Sequence, residues 1–249
     1  MRDRRLQVAV LCLLAATATL SSFACAQSIP TPGQSGDIGV LSSAGNSAQR
    51  QAAERGLATL AKRLPASASA AGTNRIFDID DRGLANAKIG DGFETYLVDP
   101  KKLLADKRLG QSLYGSGEWR FVVVANGRGI GLITVALMNG KWVMVEAGAS
   151  ELASEIVSVA ARYAQQQPGA RLRFVRSPQA VADFLEVSDP SGADAVNAPV
   201  YVPLASARAM LAPAQAGSVP PGAALSDAQL DNALRQRVQR GMRDPRVGH

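Results

Sequence analysis

Between residues 118 and 147 the apolar positions come in three short runs, EWRFVVVA (118–125), IGLITVALM (130–138) and KWVMVEA (141–147). Each is dense in the β-branched and aromatic residues that suit a pleated, half-buried surface. Asn126-Gly127 and Asn139-Gly140 separate them. Asn-Gly between apolar runs is the strongest short hairpin signal, so the pattern predicts a three-stranded antiparallel meander. In the middle run, Ile133, Val135 and Leu137 alternate with Ile130, Leu132, Thr134, Ala136 and Met138. Both faces are therefore apolar, and a strand open to water on one side would alternate instead. This strand is expected to be central, with a cover on each face.

Other segments extend the pattern. GFETYLVD (92–99) reads as a strand, RIFDI (75–79) as a short one and RLRFVR (171–176) as a later one, with residues 200–203 as an edge strand that tolerates Pro203. Asp99-Pro100 opens a short helix. Ser150 caps a long one in which Leu152, Ile156, Val159 and Tyr163 recur at helical spacing. Ser177-Pro178 is expected to begin another, through Ala180, Val181 and Phe184. Near the N-terminus, Asn46 with Gln49 resembles a capping pair ahead of Ala53, Leu57, Leu60 and Leu64, and Pro65 stops that run. Near the C-terminus, Ser226 and Gln229 form a capping box, Leu225 and Leu230 a hydrophobic staple, and Leu230, Leu234 and Val238 share one face.

The fold class predicted from this order is α+β: a mainly antiparallel sheet with a central three-stranded meander, one long helix packed across it, and helical appendages at both ends. Residues 75–205 form the globular domain. Residues 27–74 are a flexible leader carrying one amphipathic helix, residues 206–224 an Ala/Pro/Gly linker, and residues 225–249 an amphipathic helix and tail. On this reading the two terminal helices sit on loose joints and dock on a protein partner or a second copy. Removing residues 226–249 should then leave the body's melting intact while abolishing association.

The first 26 residues change the picture of where the protein works. Arg2, Arg4 and Arg5 precede an uncharged apolar stretch, and Ala24-Cys25-Ala26 fits a cleavage site, which together make a secretory signal peptide. The apolar run is shorter than the ~20 residues that span a bilayer. Export to the periplasm or medium is expected; acylation of Cys25 as a lipoprotein is the less favoured alternative, since Ser22 and Phe23 stand where lipoprotein recognition wants Leu and a small residue. The formal net charge is +6. Cleavage after Ala26 removes three Arg and one Asp and leaves +4, two of which belong to residues 225–249. The body is close to neutral, which argues against a nucleic-acid partner.

Candidate chemistry is sparse. Cleavage removes both cysteines, Cys12 and Cys25, and the one histidine is His249, the last residue. Ser-His-Asp, Cys-His and His/Cys zinc devices are thereby excluded. Gly127, Gly129 and Gly131 superficially suggest a phosphate loop, but Leu132 breaks G-x-G-x-x-G and a strand pattern follows where a helix would be needed. These glycines are expected to be scaffold, with Gly131 marking a bulge or close backbone approach. Asp78, Asp80 and Asp81 before Gly83 resemble the opening of a calcium loop, but Ile89 stands where the Glu ligand belongs, so an acidic turn is expected. No cofactor or metal site is expected. The candidate ligand-binding residues are Trp119 and Trp142 beside Glu118 and Glu146, with Arg128, and Arg120 as a further anion-binding candidate. An aromatic pair with carboxylates on the meander's outer strands suits a sugar or peptide. Function is therefore expected to be that of an exported, non-catalytic binding or accessory protein. The alternatives are a carboxylate-dependent hydrolase of cell-envelope polymers, if Glu118 and Glu146 converge in a cleft, or an inhibitor or chaperone of a secreted enzyme.

Overall fold

Both Asn-Gly pairs fold the chain back on itself. In the computed structural model, which describes residues 47–63, 76, 77, 79, 81–188, 198–212 and 219–244, Asn126 and Gly127 have φ of 51° and 74°, and Asn139 and Gly140 repeat the same values. Two consecutive left-handed residues make the two-residue turn whose twist matches that of the flanking strands. They join β2 (Leu113–Ala125), β3 (Arg128–Met138) and β4 (Lys141–Gly148), paired antiparallel in that order. Gly131 is indeed a close approach. A Cβ there would stand 2.2 Å from Phe77 Cδ1, and the β2–β3 register slips beside it, pairing Val123 with Gly131 but Val124 with Gly129.

The sheet has eight strands in the order β4-β3-β2-β1-β5-β6-β7-β8. β1 (Lys88–Val98), β5 (Arg171–Ser177), β6 (Ala182–Ser188), β7 (Val200–Pro203) and β8 (Leu225–Ser226) complete it. All neighbours are antiparallel except β1 and β5. The meander thus occupies one end of the sheet rather than its centre. The parallel pair requires a crossover, and α4 (Ser150–Gln166) supplies it, running back from edge strand β4 to β5 beside β1. Its buried Ile156, Val159 and Tyr163 pack on Phe93, Val122, Leu132, Phe174 and Leu185. Ser150 is the first helical residue, and left-handed Ala149 occupies the cap position.

The opposite face carries the other helices. α1 (Ser47–Arg63) lies over the meander, burying Ala52, Ala53 and Leu57 against Phe121, Ile133 and Val135. With α4 on one side and α1 on the other, β3 is covered twice, as its two apolar faces demand. Over the other half of this face lie α3 (Pro100–Leu104), a 3₁₀ turn (Leu109–Ser112), α5 (Ala205–Leu211) and α6 (Asp227–Arg243). Asp99 caps α3, accepting from the N–H groups of Lys101 and Lys102 at 2.9 and 3.2 Å.

Several expectations need correction. The terminal helices are not appendages. Leu230, Leu234 and Val238 of α6 are fully buried with Val175, Phe184 and Tyr201. Gly56 of α1 sits so close to β4 that a Cβ there would meet Met144 Sδ at 2.6 Å, and Arg50 fastens the helix to β1 through the carbonyls of Ile89 and Gly90. Their apolar stripes are spent inside this chain, which removes the ground for docking through them. The helix expected from Ser177 is a hairpin instead. Pro178 to Val181 form its turn, with Val181 left-handed at φ 53°, and β6 follows. Ala180 and Phe184 share a core because they flank that turn, not because they lie one helical turn apart. Within 75–79, Ile76 and Phe77 form a turn and Ile79 makes a single bridge, while β1 starts at Lys88, ahead of the expected 92. β7 is not an edge, because Leu225 and Ser226 pair beyond it. α5 occupies the start of the expected linker. The leader 27–46, Leu64 and Pro65 lie outside the described residues.

Candidate functional site

The pleat separates the residues singled out from sequence. Arg120, Thr134 and Glu146 are aligned across β2, β3 and β4. Thr134 donates to Glu146 Oε2 at 3.3 Å, and Arg120 Nη2 stands 3.8 Å from the same oxygen. The Arg120 guanidinium lies 5.5 Å from the centroid of Phe174, in the core beneath α4. Burial holds its pKa below the usual arginine value, and Arg176 adds to this; Glu146, Asp183 and Glu118 oppose it. Glu118 and Glu146 therefore serve the field around a buried guanidinium. Trp119 and Trp142 pack on the other side, against the α1 core. Successive side chains of a strand point to opposite faces, so tryptophans and carboxylates are not brought together. Arg128 is exposed at the hairpin turn, opposite Ala125. The expected constellation does not assemble.

Among the acidic residues, Asp78 and Asp80 lie outside the described residues, and Asp81 opens the short helix α2 (Asp81–Ala85). Among the described residues, no group of three or more His, Cys, Asp or Glu is placed to hold a metal ion.

A cavity of about 780 Å³ opens elsewhere, between the 3₁₀ turn, β7 and the first turns of α6. Its position follows from local chemistry. Ser226 caps α6, accepting from Gln229 N–H, while Gln229 Oε1 accepts from Ser226 N–H at 2.8 Å, and this capping box brings Asp227 to the cavity. Asp227 Oδ1 accepts the N–H of Leu109 at 3.1 Å and holds the 3₁₀ turn against the helix. Arg235, one face further along, reaches Asp231 at 2.6 Å, Asp106 at 3.4 Å, and the carbonyls of Leu103 and Lys107. It ties α6 to the loop after α3 and has little charge left to offer a ligand.

Tyr201 backs the cavity. It is fully buried. Glu186 lies opposite it in the β6–β7 register and is 1 % exposed. Arg173 donates to Glu186 Oε1 at 2.9 and 2.5 Å. Burial pushes the Tyr201 pKa well above its usual value; the charges of Glu186 and Asp227 and a side-chain hydrogen bond to Glu186 push it further, and Arg173 opposes them. Gly110 lines the same cavity, and a Cβ on it would lie 3.3 Å from Tyr201 Oη, with no other atom so near.

Comparison with protein-family models, curated proteins and solved structures gave no match for this chain. What it can do must be argued from these residues alone. Tyr201 carried no signal in the sequence beyond its place in a short expected strand, and Glu186 followed a segment expected to be helical. Asp227 was visible only as one of several charges in a helix. A cavity whose wall joins residues 106–111 to residues 198–235 has no linear motif.

Proposed function

We propose that this protein is an exported, non-catalytic binding module that holds a small ligand in the cavity beside Tyr201. The observation carrying this reading is an open cavity of about 780 Å³ walled by the 3₁₀ turn, β7 and the first turns of α6 and lined by both acidic and basic side chains. A cavity of this size falls within the ~300–1,000 Å³ range of ligand sites. Export is supported by the arginine-led apolar stretch and Ala24-Cys25-Ala26 at the N-terminus.

A carboxylate-dependent hydrolase gains no support from Glu118 and Glu146, which gather around Arg120. Docking on a protein partner through the terminal helices loses its ground once they are packed on the body, which leaves a small ligand as the occupant this binding module is proposed to hold.

Equilibrium dialysis against a periplasmic small-molecule extract tests the proposal. The mature chain should enrich one or a few compounds, and the Ala198→Trp variant, which places bulk at an exposed position of the cavity lining, should not. Identical profiles for the two proteins would count against the cavity as the working site.

A further inference from the structure

The two ends of the sheet are finished differently. At one end β8 is two residues long and runs straight into α6. At the other, β4 is eight residues long, and among the described residues its one strand neighbour is β3. An edge strand presents unpaired N–H and C=O groups that can pair with another chain. Which groups are free follows from the hairpin. Met138 and Lys141 flank a two-residue turn and form a hydrogen-bonded pair. Along β4 the main chain then alternates, with Lys141 and Val143 bonding inward to β3 and Trp142 and Met144 facing outward. Val145 is the extra residue of a bulge, where the β3–β4 register slips between Thr134 and Val135, and it ends the regular edge. The side chains beside this edge are apolar and open. Val143, Val145 and Met138 are 36, 46 and 53 % exposed. Trp142 and Met144 turn to the other face, into the α1 core.

We propose that β4 pairs antiparallel with β4 of a second copy, about a twofold axis through Val143. The inference does not rest on the cavity, which lies at the β7–β8 end of the sheet. A twofold axis perpendicular to a sheet keeps each side chain on its own face, so opposed residues must already share a face. Centring on Val143 meets this condition. Trp142 of each copy opposes Met144 of the other, and the outward N–H and C=O groups of these two residues satisfy one another. Val143 meets Val143 across the axis. Lys141 comes opposite Val145 and one residue from Glu146, whose side chain is 66 % exposed. Opposite charges are thereby placed together on both sides of the axis, as cross-strand pairs favour. Centring on Met144 instead would oppose Trp142 to Glu146, which lies on the other face with Arg120.

Sedimentation velocity on the chain from Gln27 tests this. A small interface of this kind should give a reversible monomer–dimer equilibrium between about 1 and 200 µM. Val143→Lys opposes like charges on the axis and should raise the dimer's Kd at least about tenfold, while melting like the wild type and leaving the compounds enriched in dialysis unchanged. A second variant reads the register. The chain from Gln27 has no cysteine. Directly opposed residues of a non-hydrogen-bonded pair have Cα atoms about 4.5 Å apart, within the reach of a disulfide. Val143→Cys should therefore oxidise to a covalent dimer faster than Val145→Cys, and faster than Val181→Cys, which is exposed on the β5–β6 turn. A chain monomeric throughout, or a dimer untouched by Val143→Lys, would overturn the proposal. So would cross-linking at Val143 no faster than at Val181, and cross-linking fastest at Val145 would contradict the Val143 axis.

Discussion

Tyr201 concentrates the account at the residue scale. Its hydroxyl is buried near two carboxylates and is hydrogen-bonded to one of them, Glu186. Removing the hydroxyl while keeping the ring takes a donor from a buried carboxylate. Tyr201→Phe is expected to lose about 1–3 kcal/mol at pH 7 in urea unfolding. A variant as stable as the wild type would mean that the hydroxyl makes no such bond. The pH dependence follows from the raised pKa. The unfolded phenol titrates near pH ~10, whereas the folded one resists. The native state therefore keeps this contribution below pH ~10 and loses it progressively as pH rises beyond. Tyr163, raised by burial against the opposing Arg162, adds in the same direction. Unfolding curves measured between pH 8 and 11 should show wild type losing stability faster than Tyr201→Phe above pH ~10. Parallel curves would contradict this placement of the phenol.

Element by element, local chemistry succeeded where a segment's own residues decide its shape. The Asn-Gly turns, the Asp99 cap and the Ser226–Gln229 capping box are all as the sequence predicts. The β5–β6 hairpin was illegible because Val181 adopts φ 53° in its turn. A β-branched residue rarely accepts that conformation, so no turn signal was present. Tertiary contact holds the turn in place: Arg237 reaches the carbonyl of Ala180 at 3.5 Å, and Gly241 packs on Gln179 so closely that a Cβ would fall 1.8 Å from its carbonyl oxygen. The same contacts show why α6 was misjudged. Its stripe of Leu230, Leu234 and Val238 is what any docking helix presents, and sequence alone does not say whether the groove belongs to the same chain. Leu234→Ala should cost about 2–5 kcal/mol, as a fully buried leucine does, measured by chemical denaturation. A chain lacking residues 226–249 should show no cooperative melting, since β8 and one wall of the core go with it. If that truncated chain melts like the intact one, α6 is an appendage after all.

For the whole molecule, the sheet with α4 on one face and the remaining helices on the other explains why the tryptophan–carboxylate site failed and why a different one emerged. Alternation along β2 and β4 sends Trp119 and Trp142 toward α1 and Glu146 toward Arg120. Fold class was legible because periodicity reports which face is buried. The site was not, because β7, the 3₁₀ turn and α6 meet only after the sheet has formed. Among the described residues no helix is long and apolar enough to cross a membrane. The proposed export carries its own check: the intact mass of the mature protein should correspond to Gln27 at the N-terminus, and a diacylated Cys25 would make it a lipoprotein instead.

The central claim is that a ligand occupies the cavity that Tyr201 backs, and tyrosine NMR reads it directly. The chain has four tyrosines, so ¹³Cζ labelling gives four lines, and the Tyr201→Phe variant identifies the one that matters. On titration with a compound enriched from the periplasmic extract, the Tyr201 line should shift selectively and saturably while Tyr96, Tyr114 and Tyr163 stay in place. A Tyr201 line unmoved by every enriched compound would contradict the account.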